Sequence, residues 1–199
     1  MYDQFDALIF DMDGTLVDSG QLHERAWIAT LTHYQIPVDR PFMRSLAGVS
    51  TMASIEILLK KFNCNPAAHL SEISEFKERY VEDHLKALVK PTALMETVRQ
   101  YHGKKPMAIG TGASRREAEK IIAACGLDKY IHCLVSADQV KNPKPAPDTF
   151  LRCAQLLGVM PERCVVFEDA KLGLQAAVAA GMAGVDVLRV HNIINDYFL

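Results

Sequence analysis

Apolar residues form short continuous runs that are separated, in the second half of the sequence, by segments with helical spacing. The runs occupy residues 5–10, 107–109, 134–135, 164–167 and 185–188. Short apolar runs of this kind are typical of buried strands. Helices are predicted to begin at Ser114, at Pro147 and before Leu174, and Ser114 with Glu117 matches a capping box. Strands separated by helices predict an α/β fold with a doubly wound parallel sheet.

Residues 18–88 show a different pattern, because their apolar positions follow helical periods and no run resembles a strand. The breaks that divide this stretch into helices lie at Pro37, Gly48 and Pro66. We therefore predict an α-helical cap at residues 18–88, inserted into a catalytic core formed by residues 1–17 and 89–199. Residues 191–199 end in apolar side chains, which predict either a short helix or a contact with a partner.

The composition, with 49% hydrophobic and 23% charged residues in a chain of 199, is ordinary for a soluble globular protein. A formal net charge of −2 provides no basic surface for nucleic acid or an anionic membrane. We find no apolar stretch long enough to span a bilayer and no signal-peptide pattern. The five cysteines are scattered without a CxxC pair. Their odd number and apolar neighbours suggest reduced thiols, so we expect a cytoplasmic protein with no nucleic-acid or membrane partner. We expect a monomer, since no long amphipathic arm is visible.

Polar side chains stand where the predicted strands end or in the loops that follow. They are Asp11, Asp13, Thr111, Lys144, Glu168 and Asp169. In an open parallel sheet, ligands bind beyond the carboxyl ends of the strands. Alone, an acid after a strand is more often a turn or a helix cap, and Lys144 is more often a solvated loop lysine. Together, an acidic cluster suits Mg²⁺ bound beside a phosphate, and the lysine and threonine suit the remaining phosphate oxygens.

Four ordered motifs resemble those of the haloacid dehalogenase superfamily. They are Asp11-Met12-Asp13-Gly14-Thr15, Thr111, Lys144 within Lys-Pro-Ala-Pro-Asp, and the pair Glu168-Asp169. The helical insert after the first motif is similar to the cap of the β-phosphoglucomutase-like branch. The stretches Lys-Pro-Ala-Pro-Asp-Thr-Phe-Leu and Cys-Val-Val-Phe-Glu-Asp-Ala most resemble bacterial members of this branch that hydrolyse fructose 1-phosphate and 6-phosphogluconate.

The resemblance implies a role for each motif residue. Asp11 would attack phosphorus to form an aspartyl phosphate, and Asp13 would protonate the leaving oxygen and then activate water. Thr111 and the backbone amide of Gly112 would hold phosphate oxygens, while Lys144 would offset negative charge. The implied ligands of the Mg²⁺ cofactor are the carboxylates of Asp11 and Asp169, the backbone carbonyl of Asp13 and, as a helper, Glu168.

Three residues of the predicted cap are candidates for contact with the substrate. His23 corresponds to a cap histidine that approaches the site on closure, although an isolated helical histidine more often lies at the surface or at a core edge. Lys77 matches a cap lysine on the facing helix, by a loose alignment. Thr51 follows Gly48-Val49-Ser50, which resembles the substrate-specificity loop. Ser114 is assigned to its helix cap and not to phosphate.

The resemblance implies a Mg²⁺-dependent phosphatase for a small sugar phosphate, such as fructose 1-phosphate or 6-phosphogluconate. Dehalogenases of the superfamily lack the second aspartate. A phosphonate hydrolase needs a Schiff-base lysine in its cap, and the sequence offers no clear candidate, with only Lys77 left open. A non-catalytic sensor is disfavoured by the complete motif set. The main alternative is a β-phosphoglucomutase-type transfer, which binds a second phosphate in the cap. Mutases carry an arginine where this sequence has Thr51, which favours hydrolysis unless Arg44 or Lys60 compensates.

Overall fold

The computed structural model describes all 199 residues and has a five-stranded parallel sheet at its centre. The strands of the chain are β1 (Ala7–Phe10), β2 (Val17–Asp18), β3 (Lys90–Pro91), β4 (Met107–Gly110), β5 (Cys133–Val135), β6 (Cys164–Glu168) and β7 (Ala183–Asp186). The order across the central sheet is β5-β4-β1-β6-β7, so β1 lies between β4 and β6. The predicted α/β fold with a parallel sheet is confirmed.

Nine helices accompany these strands. They are α1 (Gly20–His33), α2 (Arg40–Ser45), α3 (Thr51–Phe62), α4 (Leu70–Leu88), α5 (Met95–Tyr101), α6 (Arg115–Ala124), α7 (Asp148–Leu157), α8 (Lys171–Ala179) and α9 (Val187–Val190). Helices α5 to α9 alternate with the strands of the central sheet, whereas α1 to α4, here called the helical insert, follow one another between β2 and β3. None of the helices combines the length and the apolar character that crossing a membrane requires.

Strand β1 is buried on both faces, which explains its continuous apolar sequence. Side chains alternate along a strand, so Leu8 and Phe10 join the apolar cluster on one face, and Ala7 and Ile9 join the cluster on the other. Because β1 is held between two neighbouring strands and two apolar layers, the residue that follows it has a fixed position at the edge of the sheet.

The helical insert has an apolar cluster of its own. Its buried members are Trp27, Leu31, Ile36, Met43, Leu46, Ile55, Leu58, Ile73, Tyr197 and Phe198. Where the chain leaves and re-enters the core, β2 and β3 form an antiparallel ribbon that pairs Val17 with Pro91 and Asp18 with Lys90. The sequence pattern does not predict this ribbon, because a strand of two residues leaves no detectable period.

Two elements of the central domain differ from the sequence prediction. The last strand was predicted at residues 185–188, but β7 ends at Asp186, whose carboxylate accepts hydrogen bonds from the Leu188 N–H at 3.1 Å and the Arg189 N–H at 3.3 Å. This N-cap starts α9 and ends the strand. Helix α5 is a further element that the apolar pattern does not predict.

The final segment, residues 191–199, contains no helix and packs on the molecule itself. Tyr197 and Phe198 are buried in the apolar cluster of the helical insert. The guanidinium of Arg44 donates to the carbonyl oxygens of Asn195 at 2.9 Å and Tyr197 at 2.6 Å. The predicted short helix is therefore wrong, and the two aromatic side chains contact the chain's own helices.

Candidate active site

Asp11 stands directly after β1, at the carboxyl end of the central sheet. Its backbone N–H donates to the Phe167 carbonyl oxygen at 2.9 Å, which extends the pairing of β1 with β6 by one residue. The Lys144 Nζ lies 2.6 Å from Asp11 Oδ1 and 2.8 Å from Glu168 Oε1, and Lys144 is only 2% exposed. One buried ammonium therefore holds two carboxylates side by side.

Glu168 ends β6 and Asp169 follows it, and three further groups hold the two carboxylates. Glu168 Oε2 accepts a hydrogen bond from the Ala170 N–H at 2.7 Å. Asp169 Oδ1 accepts from the Thr15 hydroxyl at 2.9 Å, and Asp169 Oδ2 accepts from the Asn195 amide nitrogen at 2.6 Å. Thr15 belongs to the first motif and Asn195 to the final segment, so the Asp169 carboxylate connects three distant parts of the chain.

The acidic cluster contains more negative charge than Lys144 offsets. Burial, together with the charge of Glu168, raises the pKa of Asp169 to about 7. Burial also raises the pKa of Asp11 well above its usual range, although the charge of Lys144 opposes this shift. Burial alone would lower the pKa of Lys144, but the carboxylates of Asp11 and Glu168 outweigh it and raise that pKa above its ordinary value.

Three carboxylate oxygens of this cluster, from Asp11, Glu168 and Asp169, lie within 4.8 Å of one another. Carboxylate oxygens are the ligands that hard divalent cations prefer, and a divalent cation would balance the surplus negative charge. The donor set therefore fits a divalent cation at this end of the sheet.

Asp13 lies in the loop after Asp11 and contacts the start of the helical insert. Its Oδ1 accepts a hydrogen bond from the Ser19 hydroxyl at 2.7 Å and lies 2.9 Å from His23 Nε2. Burial alone would raise the pKa of Asp13, but His23 and Ser19 outweigh it and hold the pKa below its ordinary value. Asp13 is therefore an ionised carboxylate that is placed to accept a proton.

Lys77 of α4 forms a buried ion pair with Glu117 of α6. Its Nζ lies 2.9 Å from both carboxylate oxygens of Glu117, and the side chains are 3% and 1% exposed. His23 Nδ1 lies 3.9 Å from the same carboxylate. Ser114 caps α6 as predicted, by accepting from the Glu117 N–H at 3.3 Å, but the Glu117 side chain turns to Lys77 instead of completing the capping box. A polar chain from Asp13 through His23 and Glu117 to Lys77 thus joins the helical insert to the core.

Breaking this buried pair is expected to destabilise the protein strongly. Lys77→Met leaves the Glu117 carboxylate buried without its partner, which costs about 3–5 kcal/mol of unfolding free energy. The matched control is Arg115→Ala, which breaks the exposed Arg115–Glu119 pair (2.8 Å) and should cost less than about 1 kcal/mol. Urea denaturation measures both, and equal losses in the two variants would contradict the argument. Adding Glu117→Met to Lys77→Met should recover stability, because no buried charge remains unpaired.

Thr111 and Gly112 follow β4, next to Asp11 across the sheet. The Thr111 N–H donates to the Val135 carbonyl oxygen at 2.9 Å, and its hydroxyl accepts from the Ala113 N–H at 3.1 Å. A β-carbon at Gly112 would lie only 3.0 Å from the Gly48 carbonyl oxygen. Glycine at position 112 thus allows the loop before α3 to approach the core closely.

One pocket, between the helical insert and the core, is lined by most of the predicted site residues. Its lining includes Asp11, Asp13, Thr111, Gly112 and Asp169 from the core and His23, Thr51 and Lys77 from the insert. Lys144 and Glu168 are buried and do not belong to the pocket lining. Lys144 contacts Asp11 directly, and Glu168 contacts Lys144. Arg44 and Lys60, the two residues considered as replacements for the arginine of the mutases, do not line the pocket.

Three polar residues of the site are not predicted by the sequence: Ser19, Glu117 and Asn195. Ser19 follows the first motif closely but belongs to no motif itself. The spacing of Glu117 from Ser114 favoured the capping box, which concealed its contact with Lys77. Asn195 lies 26 residues from Asp169 and belongs to no motif, so no sequence signal identifies it.

The chain is similar to a known family model, to named proteins and to a solved structure. A family model described as haloacid dehalogenase-like hydrolase matches residues 5–181. The chain is 46% identical to the fructose-1-phosphate phosphatase YqaB of Escherichia coli K12 over 189 residues, which cover 94% of this chain and 98% of that protein. It is 31% identical to the β-phosphoglucomutase of Bacillus subtilis 168 over 186 residues, covering 91% and 82% of the two proteins. The crystal structure of CbbY from Rhodobacter sphaeroides in complex with phosphate is similar, with a TM-score of 0.81 at 25% identity over 90% of this chain and 84% of that chain.

Proposed function

Because this chain belongs to the haloacid dehalogenase-like hydrolase family, we propose that it hydrolyses a small sugar phosphate through an aspartyl-phosphate intermediate. Fructose 1-phosphate and 6-phosphogluconate are the substrates we favour, and the similarity to a fructose-1-phosphate phosphatase supports the first of them. The observation that carries the proposal is the position of Asp11. It lies against the Lys144 ammonium at 2.6 Å and in the same pocket as Asp13.

The proposed reaction has two displacements at phosphorus. An oxygen of Asp11 attacks phosphorus, and the bond from phosphorus to the sugar oxygen breaks as Asp13 gives a proton to that oxygen. The bound phosphate favours the protonated form of Asp13, because a neighbouring negative charge raises the pKa of a carboxyl group. Water then gives a proton to Asp13 and attacks phosphorus, which releases inorganic phosphate and restores Asp11.

We propose Mg²⁺ as the cofactor, held by the Asp11 and Asp169 carboxylates and the Asp13 backbone carbonyl, with help from Glu168. When bound, this cation would offset charge on the phosphoryl oxygens. Thr111, the Gly112 amide and Lys144 would bind the remaining phosphate oxygens. Burial disfavours the charged form of Asp11, whereas the positive charge of Lys144 favours it. Positive charge near Asp11 therefore helps to keep the nucleophile ionised.

Residues 18–88 act, in this proposal, as a cap over a catalytic core made of residues 1–17 and 89–199. The phosphate would lie at the core side of the pocket, and the sugar would face His23, Thr51 and Lys77. Since these three side chains belong to the helical insert, the insert would determine which leaving groups fit.

The alternative function, phosphoryl transfer between two sugar hydroxyls, needs a second phosphate site on the cap side. Thr51 offers a short neutral side chain, and Arg44 donates to carbonyl oxygens of the final segment. Lys60 is exposed and outside the pocket lining. These contacts favour hydrolysis, although the similarity to a β-phosphoglucomutase keeps transfer as the second candidate.

A phosphate-release screen separates the two functions. With Mg²⁺ and a panel of sugar phosphates, ranked by kcat/KM, we expect steady release of inorganic phosphate from several hexose phosphates without a bisphosphate activator. Fructose 1-phosphate and 6-phosphogluconate should rank high. Isomerisation of β-glucose 1-phosphate with negligible release of phosphate would instead favour the mutase.

A further inference from the structure

The final segment, residues 191–199, runs from the core to the helical insert and contributes to the lining of the site. Ile193 packs in the core cluster beside the central sheet, whereas Tyr197 and Phe198 pack in the cluster of the insert. Asn195 lies between these two anchors and lines the pocket, as does Tyr197. The segment follows the last residue matched by the family model, residue 181, so its contacts are not part of that match.

The backbone of this segment is held from the side of the insert. Arg44 donates to two of its carbonyl oxygens, those of Asn195 and Tyr197. The Phe198 N–H donates to Glu24 Oε2 at 2.7 Å. With Ile193 anchored in the core, these contacts leave Asn195 little freedom of position.

The carboxamide of Asn195 is fixed in orientation as well as in position. Its Oδ1 accepts a hydrogen bond from the Tyr197 N–H at 3.0 Å, which is the local turn that asparagine side chains favour. Its Nδ2 therefore points away from that turn, toward Asp169 Oδ2 at 2.6 Å. Gly14 leaves room for this contact, because a β-carbon at position 14 would collide with both the Asn195 and Asp169 side chains.

We propose that Asn195 is a positioning residue of the catalytic site, which acts by orienting the Asp169 carboxylate for a divalent cation. Thr15 holds one oxygen of Asp169 and Asn195 holds the other, so rotation of the carboxylate would break both hydrogen bonds. In this orientation Asp169 offers an oxygen within 4.8 Å of ligand oxygens from Asp11 and Glu168. Partners that orient a metal ligand in this way typically change metal affinity by about 10–100-fold when removed. The inference rests on the proposed metal site but concerns a residue outside the family motifs.

The test measures binding of Mn²⁺, as a probe for the divalent site, to the metal-free protein by electron paramagnetic resonance. Asn195→Ala should weaken Mn²⁺ binding by about 10–100-fold. At saturating metal, its kcat should return toward the wild-type value, since Asn195 takes no part in bond making. The matched control is Ile194→Ala, which changes the neighbouring residue of the segment, 78% exposed, and should leave Mn²⁺ binding unchanged.

A second variant separates orientation of Asp169 from general support of the segment. Phe198→Ala removes a buried anchor (3% exposed) without touching Asp169, so it should lower the free energy of unfolding but change Mn²⁺ affinity less than Asn195→Ala does. Equal Mn²⁺ affinity in wild type and Asn195→Ala would overturn the inference while leaving the phosphatase proposal intact. Equal losses in Asn195→Ala and Phe198→Ala would show that the amide has no specific role. Absence of Mn²⁺ binding by the wild type would reject the metal site itself.

Discussion

Asp11→Asn is expected to abolish phosphate release and to leave the fold intact. An amide is not a nucleophile toward phosphorus, so kcat should fall by roughly 10⁴-fold or more, the scale seen when an enzyme loses its nucleophile. The two side chains have nearly the same shape. Because burial raises the pKa of Asp11, its charge is unfavourable in the folded protein, and a neutral amide should leave stability unchanged or raise it. Lys144 keeps Glu168 as a partner at 2.8 Å.

The measurements for this variant are phosphate release under saturating substrate and urea denaturation. Asp6→Asn is the matched control, because the same chemical change is made at a half-exposed carboxylate that pairs with Arg163 outside the site. That control should keep its activity and lose little stability, because exposed ion pairs contribute little to it. Retained turnover in a clean preparation of Asp11→Asn would reject Asp11 as the nucleophile.

Removal of divalent metal is expected to produce the second large loss. After dialysis against EDTA, turnover should fall by about 10³-fold or more, because a cation at such a site contributes several kcal/mol of charge stabilisation in the transition state. Adding Mg²⁺ should restore the rate. Ca²⁺ should restore it poorly, since it is larger and takes six to eight ligands in a flexible arrangement.

The control for metal removal is the circular dichroism spectrum of the metal-free protein, which should match that of the loaded protein. The hydrogen bonds of Lys144, Thr15 and Asn195 hold the acidic cluster together without a cation. Full activity after EDTA treatment would remove the metal from the mechanism.

The local pattern of the sequence predicts the central sheet because its strands are buried on both faces and therefore read as continuous apolar runs. It also predicts that Asp11, Thr111 and Glu168 approach one another, since parallel strands end at one edge of the sheet. The pairing of Val17 with Pro91 and the capping of α9 by Asp186 escape prediction, because each depends on one or two residues.

Contacts between side chains from distant segments escape prediction for a different reason. Glu117 obeys a local helix-start rule, yet its carboxylate binds Lys77, which lies 40 residues earlier. Asn195 reaches Asp169 only because the final segment is anchored on both the core and the insert. Such contacts depend on how the helical insert is positioned relative to the core, and the spacing of residues along the sequence does not determine that position.

The ion pair of Lys77 with Glu117 also affects how readily the pocket can exchange its contents with the solvent. Any outward movement of α4 from α6 would carry both charges into water. Hydration of the separated ions would replace much of the attraction that is lost, because desolvation is the largest cost of burying such a pair. An apolar contact of the same size has no such compensation when it becomes exposed. The pair therefore favours one closed position of α4 against α6, yet separating the two helices costs less free energy than opening an apolar contact of the same size would.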